Sequence, residues 1–115
     1  MLMKHTKQEE NSERFKMIRH IFMGTFKRGI SDDVKQKELE DLRAMKDRMP
    51  SVANLEVGFT TGWEGMPDSI ALTADFRTKA DFEAYKVHPY HADYINQTGT
   101  DYFDRSTFLS VQFEF

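Results

Sequence analysis

The chain has 115 residues, 16 basic and 19 acidic side chains, a net charge of −3 and no cysteine. That length allows one domain with its own core, and the charge balance gives no electrostatic case for nucleic acid or an anionic membrane as partner. The missing cysteines exclude a disulfide framework, a thiolate zinc site and a thiol nucleophile.

Residues 1–15, rich in Lys, Glu, Gln and Asn, lack the apolar segment of a secretory signal and read as a disordered or frayed leader. Residues 16–115 read as the domain. No stretch reaches the roughly 18 apolar residues of a membrane span, so the expectation is a cytoplasmic protein.

From Met17 to Phe26 the chain is strand-like, with Ile18, His20, Phe22 and Phe26 on one face and Met17, Ile21 and Met23 on the other. Neither face is polar throughout, which predicts cover on both sides. Ser31 then offers a helix N-cap, with Asp32 and Asp33 where the helix dipole favours negative charge. Val34, Leu42, Met45 and Met49 fall within an arc of about 80°, with Leu39 at its margin, and Pro50 stops the helix. A second strand follows from about Ala53 to Thr60. The breakers Gly62, Gly65 and Pro67 make a loop around Trp63, a side chain suited to covering a barrel end or a dimer contact. A third strand runs from Ser69 to Arg77.

Thr78 to Asp81 resembles a capping box and opens a second helix carrying Phe82, Tyr85 and Val87. Pro89 disfavours helix at His88 and forces a joint there. A further helical piece is expected from Tyr90 to about Gln97, before Gly99, and a last strand from Thr107 to Phe115. The order is β-α-β-β-α-β: an α+β, ferredoxin-like unit with a four-stranded antiparallel sheet and helices on one face. A sheet with apolar groups on both sides predicts sheet-to-sheet pairing of two copies through Met17, Ile21 and Met23.

With that order in place, Met17-Ile18-Arg19-His20-Ile21, Glu56-Val57-Gly58 and Ala84-Tyr85…His88-Pro89…His91 resemble the signatures of the stress-responsive A/B barrel (Dabb) family. The resemblance covers about residues 17 to 115 and implies a homodimeric α+β barrel. The family is mixed in activity. One branch, a plant olivetolic acid cyclase, closes a polyketide by aldol condensation, and its roles of general base and assisting tyrosine fall by position on His91 and Tyr85. His88 and His20 would lie near the same pocket, with Phe22 and Ile18 along its wall. Two positions depart from that branch. Tyr90 replaces a small residue and would fill or reshape the pocket, and Gln112 stands where the cyclase has an aspartate supporting its base.

The residue types suit proton transfer. A buried imidazole stays neutral near working pH, and a tyrosine hydroxyl can hold a carbonyl and steady an enolate. The plainer reading of a histidine after a Pro-bent helix end is that it satisfies an orphan backbone carbonyl. His88 and His91, three apart across a proline with no carboxylate at ligand spacing, do not make a metal site, and no cofactor is implied. Two readings follow. One is a barrel that binds a hydrophobic or aromatic small molecule without chemistry. The other is a cofactor-independent cyclase or lyase using His91 and Tyr85. A heme- or oxygen-using monooxygenase of related barrel shape has no motif of its own here.

Overall fold

The structure, a computed structural model, describes residues 16–115; the leader expected over 1–15 lies outside the described residues. The elements are β1 (Ile18–Phe26), α1 (Asp32–Arg43), α2 (Met45–Arg48), β2 (Asn54–Phe59), β3 (Ser69–Phe76), α3 (Lys79–Val87), α4 (Asn96–Tyr102) and β4 (Phe103–Glu114). A 3-10 turn at Trp63–Gly65 and a π-helical turn at Tyr90–Ile95 complete them. The strands form one antiparallel sheet in the order β2-β3-β1-β4, the ferredoxin-like arrangement that the alternation of elements predicts.

Local chemistry sets the helix ends. The Ser31 hydroxyl accepts from the Val34 N–H at 3.3 Å, and the Thr78 hydroxyl accepts from the Asp81 N–H at 3.0 Å. Leu39, Leu42, Met45 and Met49 turn their stripe onto the sheet and are buried. The single helix expected up to Pro50 is broken at Ala44 into α1 and α2. Val87 is 73% exposed rather than part of the buried stripe. At about 100° per residue it sits about 140° from Phe82, off the face that Phe82 and Tyr85 share.

Two further expectations are corrected. The helix after the Pro89 joint does not stop before Gly99 but runs to Tyr102. Gly99 faces inward there, where an added Cβ would lie 3.9 Å from Phe108 Cζ. The last strand starts at Phe103 rather than Thr107, because its pairing with β1 slips between Met23 and Thr25. The extra residues are held by the Asp104 carboxylate accepting from the Ser106 N–H and by the Thr107 hydroxyl accepting from the Thr25 N–H, at 3.0 and 2.9 Å. Gly24 lies opposite this bulge. A Cβ there would come within 2.8 Å of Phe108 Cε1, so only glycine lets Phe108 fold over β1 and meet Phe22 edge-on at 4.9 Å.

The sheet therefore has two unlike faces. The helix side carries His20, Phe22 and Phe26 of β1 against Ile70, Leu72, Ala74 and Phe76 of β3. The other side carries Ile21 and Met23 of β1 beside Leu109, Val111, Phe113 and Phe115, which remain 43% to 49% exposed. Asp75 crosses to this side and is buried under a two-pronged pair from Arg19, at 2.8 and 2.9 Å. The Arg19 guanidinium also lies 4.4 Å over the Phe115 ring. Trp63 is 77% exposed. Among the described residues, no helix is long and apolar enough to cross a membrane.

Candidate ligand site

A cavity of about 390 Å³ lies between the helix side of the sheet and the helices. Its inner wall is apolar and aromatic, drawn from half-buried Phe22 and buried Leu72 of the sheet, Leu42 and Met45 beneath, half-buried Phe82 of α3 and Ile95 of the π-turn. Its rim is exposed and polar, with Lys86, Asn96, Arg105, Ser110 and Gln112. A larger open cleft of about 810 Å³ around Lys27, Arg28 and Asp68 holds none of the site residues expected from the sequence.

Three of the polar residues expected at a site meet in the smaller cavity. His20 comes from β1, Tyr85 from α3 and His91 from the π-turn. The Tyr85 ring lies 4.4 Å from the His91 ring and 5.9 Å from the His20 ring, centroid to centroid. Phe82 approaches His20 at 5.5 Å. Two of the expected residues are elsewhere. Ile18 packs against the main core and does not line the cavity. His88 caps α3, its Nδ1 accepting the Tyr90 N–H at 3.1 Å and its carbonyl accepting the N–H groups of His91 and Ala92. The proline that forces the joint turns the His88 side chain back on the chain and carries His91 inward.

Hydrogen bonds fix the tautomers of the two cavity histidines. His91 Nδ1 lies 3.2 Å from the Lys86 carbonyl, which can only accept; Nδ1 therefore carries the proton, and Nε2 keeps its lone pair. The same bond satisfies one carbonyl at the end of α3, as the plainer reading requires. The Gln112 amide donates to His20 Nδ1 at 3.0 Å, which leaves the proton of His20 on Nε2. Gln112 thus supports His20 and not the expected base, His91. Burial drives the His20 pKa down to about 4, with the nearby His91 adding to it. Burial also lowers His91. Both rings are neutral at neutral pH. Burial pushes the Tyr85 phenol well up, so it stays protonated, and among the described residues its hydroxyl makes no hydrogen bond.

Tyr90 does not fill the cavity. Its hydroxyl donates to the Asp41 carbonyl at 2.7 Å, and its ring stacks on Tyr94 with Arg48 at 4.8 Å on its face. It pins the π-turn to the outside of α1.

One residue of the site carries no signature of its own in the sequence. Glu38 of α1 lines the cavity, is 1% exposed, and is raised to about 7 chiefly by burial. Its signal was present in the pattern: at about 100° per residue Glu38 falls in the middle of the arc that Val34, Leu42, Met45 and Met49 define. An acid at the centre of an apolar stripe is a buried acid.

A four-stranded antiparallel sheet with a cavity under its helices, and a second apolar face left open, defines an α+β protein of the ferredoxin-like fold. The chain matches the stress responsive A/B barrel domain over residues 18–114 and belongs to that family. No curated protein matches the sequence at a significant level. Among solved structures it is similar to a dimeric ferredoxin-like protein of unknown function from Thermobifida fusca (22% identity over 89% of this chain and 93% of that one, TM-score 0.76). It is similar also to a dimeric ferredoxin-like protein of unknown function from Bacteroides fragilis (21%, 86% and 96%, TM-score 0.72). A third similar structure is the hydroxynitrile lyase of Passiflora edulis (14%, 86% and 93%, TM-score 0.73). At these identities the likeness is one of fold.

Proposed function

We propose that this protein is a homodimeric, cytoplasmic A/B barrel that binds a hydrophobic or aromatic oxo compound in the cavity between sheet and helices. The observation that carries this reading is the convergence of two imidazoles, neutral at neutral pH, and a tyrosine hydroxyl without a hydrogen bond among the described residues on a cavity whose inner wall is mainly apolar. A cavity of this size takes a one- or two-ring compound. Tyr85 supplies a donor for a carbonyl oxygen, and Phe22, Phe82 and Phe108 supply the walls. The dimer reading is supported by the open face of β1 and β4 and by dimeric fold relatives. The test is calorimetric titration with 2-acetonaphthone, a flat aromatic ketone. The parent should bind it, and the Tyr85→Phe/His91→Ala double variant should bind at least about tenfold more weakly. Equal affinity would remove Tyr85 and His91 from the site.

The His91 tautomer favours a second reading, that of a cofactor-independent cyclase or lyase. With Nδ1 holding its proton against the Lys86 carbonyl, the Nε2 lone pair is free to take a proton from the carbon beside a bound carbonyl. The electron pair of that C–H bond moves onto the carbonyl oxygen, and the Tyr85 hydroxyl steadies the enolate by donating to it. A hydroxynitrile lyase in Passiflora edulis has a similar fold, which is compatible with this reading. Exchange of the 2-acetonaphthone methyl protons in heavy water, followed by NMR, tests it. Catalysed exchange should fall about 100-fold or more in His91→Ala; an unchanged rate would leave the site as a binding site without this chemistry.

A further inference from the structure

Glu38 lines the cavity without a part in the chemistry of Tyr85 and His91, and it is the most deeply buried polar side chain there. The Thr98 hydroxyl lies 3.1 Å from Glu38 Oε2 and 3.0 Å from the Ile95 carbonyl, placed to donate to either. One hydroxyl carries one proton and cannot serve both. If the acid is neutral, the conflict disappears: its own proton meets the Thr98 oxygen, and the Thr98 proton meets the Ile95 carbonyl. The second oxygen, Oε1, is then a carbonyl-type acceptor, and it is buried with no partner among the described residues. A buried acceptor left unmatched is costly, and in a native protein such a group calls for an explanation, a partner from outside the chain being one. Glu38 is one of the residues lining the cavity, the side from which a partner would come. We propose that Glu38 is a specificity-determining residue that anchors a hydroxyl group of the bound compound through Oε1, while Tyr85 and His91 attend to its oxo group.

The charges around the acid agree with a neutral donor rather than an ammonium group. Lys86 and Arg105 stand at the cavity rim. On its own helix, Asp41 raises the acid and Lys37 lowers it, both less than burial does. His20 of β1 and His91 of the π-turn are neutral, as is Tyr85 of α3, and α4 contributes Thr98 and the Asn96 amide. A cation entering would meet two cations at the rim and a half-neutral acid inside. An alcohol or phenol meets an acceptor.

The inference rests on the cavity being a binding site for aromatic compounds, and the probes separate the two claims. 2-Naphthol and 2-methoxynaphthalene have nearly the same shape, and only the first can donate. The parent should bind the naphthol about tenfold more tightly. Glu38→Gln keeps an acceptor oxygen in place of Oε1 and an N–H toward Thr98, so it should keep that preference; Glu38→Met should lose it while still binding the ether. Preference retained in Glu38→Met overturns the assignment of Glu38 and leaves the cavity as a site. Failure of the parent to bind either compound overturns both claims. Should Glu38→Met not fold, infrared difference spectra of the parent decide at about pH 6. The naphthol should shift a carboxylic C=O band that is absent in Glu38→Gln, whereas the ether should not. No such shift overturns the assignment.

Discussion

His91 shows how one side chain can both end a helix and line a cavity. His91 holds the end of α3 through the Lys86 carbonyl, and the same bond gives the ring the tautomer of a base. His91→Ala should therefore cost about 1 kcal/mol in a urea titration at neutral pH, the typical worth of a hydrogen bond. Gly24→Ala should cost more, about 1–3 kcal/mol, since the new methyl would overlap the Phe108 ring and push it from its place over β1. The sequence makes His91 and Tyr85 legible, because a histidine beyond a proline joint and a tyrosine on an apolar helix stripe are both conspicuous. It makes Glu38 far less so. In α1, a helix with many exposed charges, one acid attracts notice only when its angle is measured against the apolar residues, and its unmatched oxygen is visible only in three dimensions.

At the scale of elements, the π-turn does most to shape the site. It follows Pro89, carries His91 inward, and is tied to α1 by the Tyr90 hydroxyl on the Asp41 carbonyl. Tyr90→Phe should lose about 1 kcal/mol of stability by urea titration and leave affinity for 2-acetonaphthone unchanged in calorimetry, because the ring lies outside the cavity. Caps and alternation are local signals, so β1, β2, β3 and the starts of α1 and α3 are readable from the local order of residues alone. The start of β4 is not. Asp104 to Thr107 is polar and has no alternation, and its place in the strand depends on a bulge that exists only against Gly24 and Thr25. The continuation of α4 through Gly99 likewise depends on Phe108, a residue from another element.

For the whole molecule, the open sheet face and the buried ionisable groups lead to separate expectations. If Leu109, Val111 and Phe113 meet a second copy, Val111→Glu should place a charge in that contact and convert a dimer mass to a monomer mass in light scattering at micromolar concentration. Glu38 and His20 act on stability in opposite directions. Glu38 is raised in the fold to about 7, so its contribution is present below its ordinary value of 4.5 and is lost as pH rises through about 7. His20 is lowered to about 4, so its contribution is present above 6.5 and is lost as pH falls through about 4. Each is worth on the order of 3 kcal/mol at full extent, and over the shared interval they offset one another. Glu38→Gln should expose the histidine slope: its stability should rise from about pH 4.5 to 6.5 while the parent changes much less, and above about pH 7 it should exceed the parent.

The state of the two cavity rings tests the account most directly. Nitrogen-15 NMR of the imidazoles at neutral pH, with and without 2-acetonaphthone, reads charge, tautomer and contact together. The structure predicts neutral rings, with the proton on Nδ1 in His91 and on Nε2 in His20, and signals of both that move on adding the ketone. Two protonated rings, or signals that ignore the ketone, would contradict a neutral, ligand-binding site.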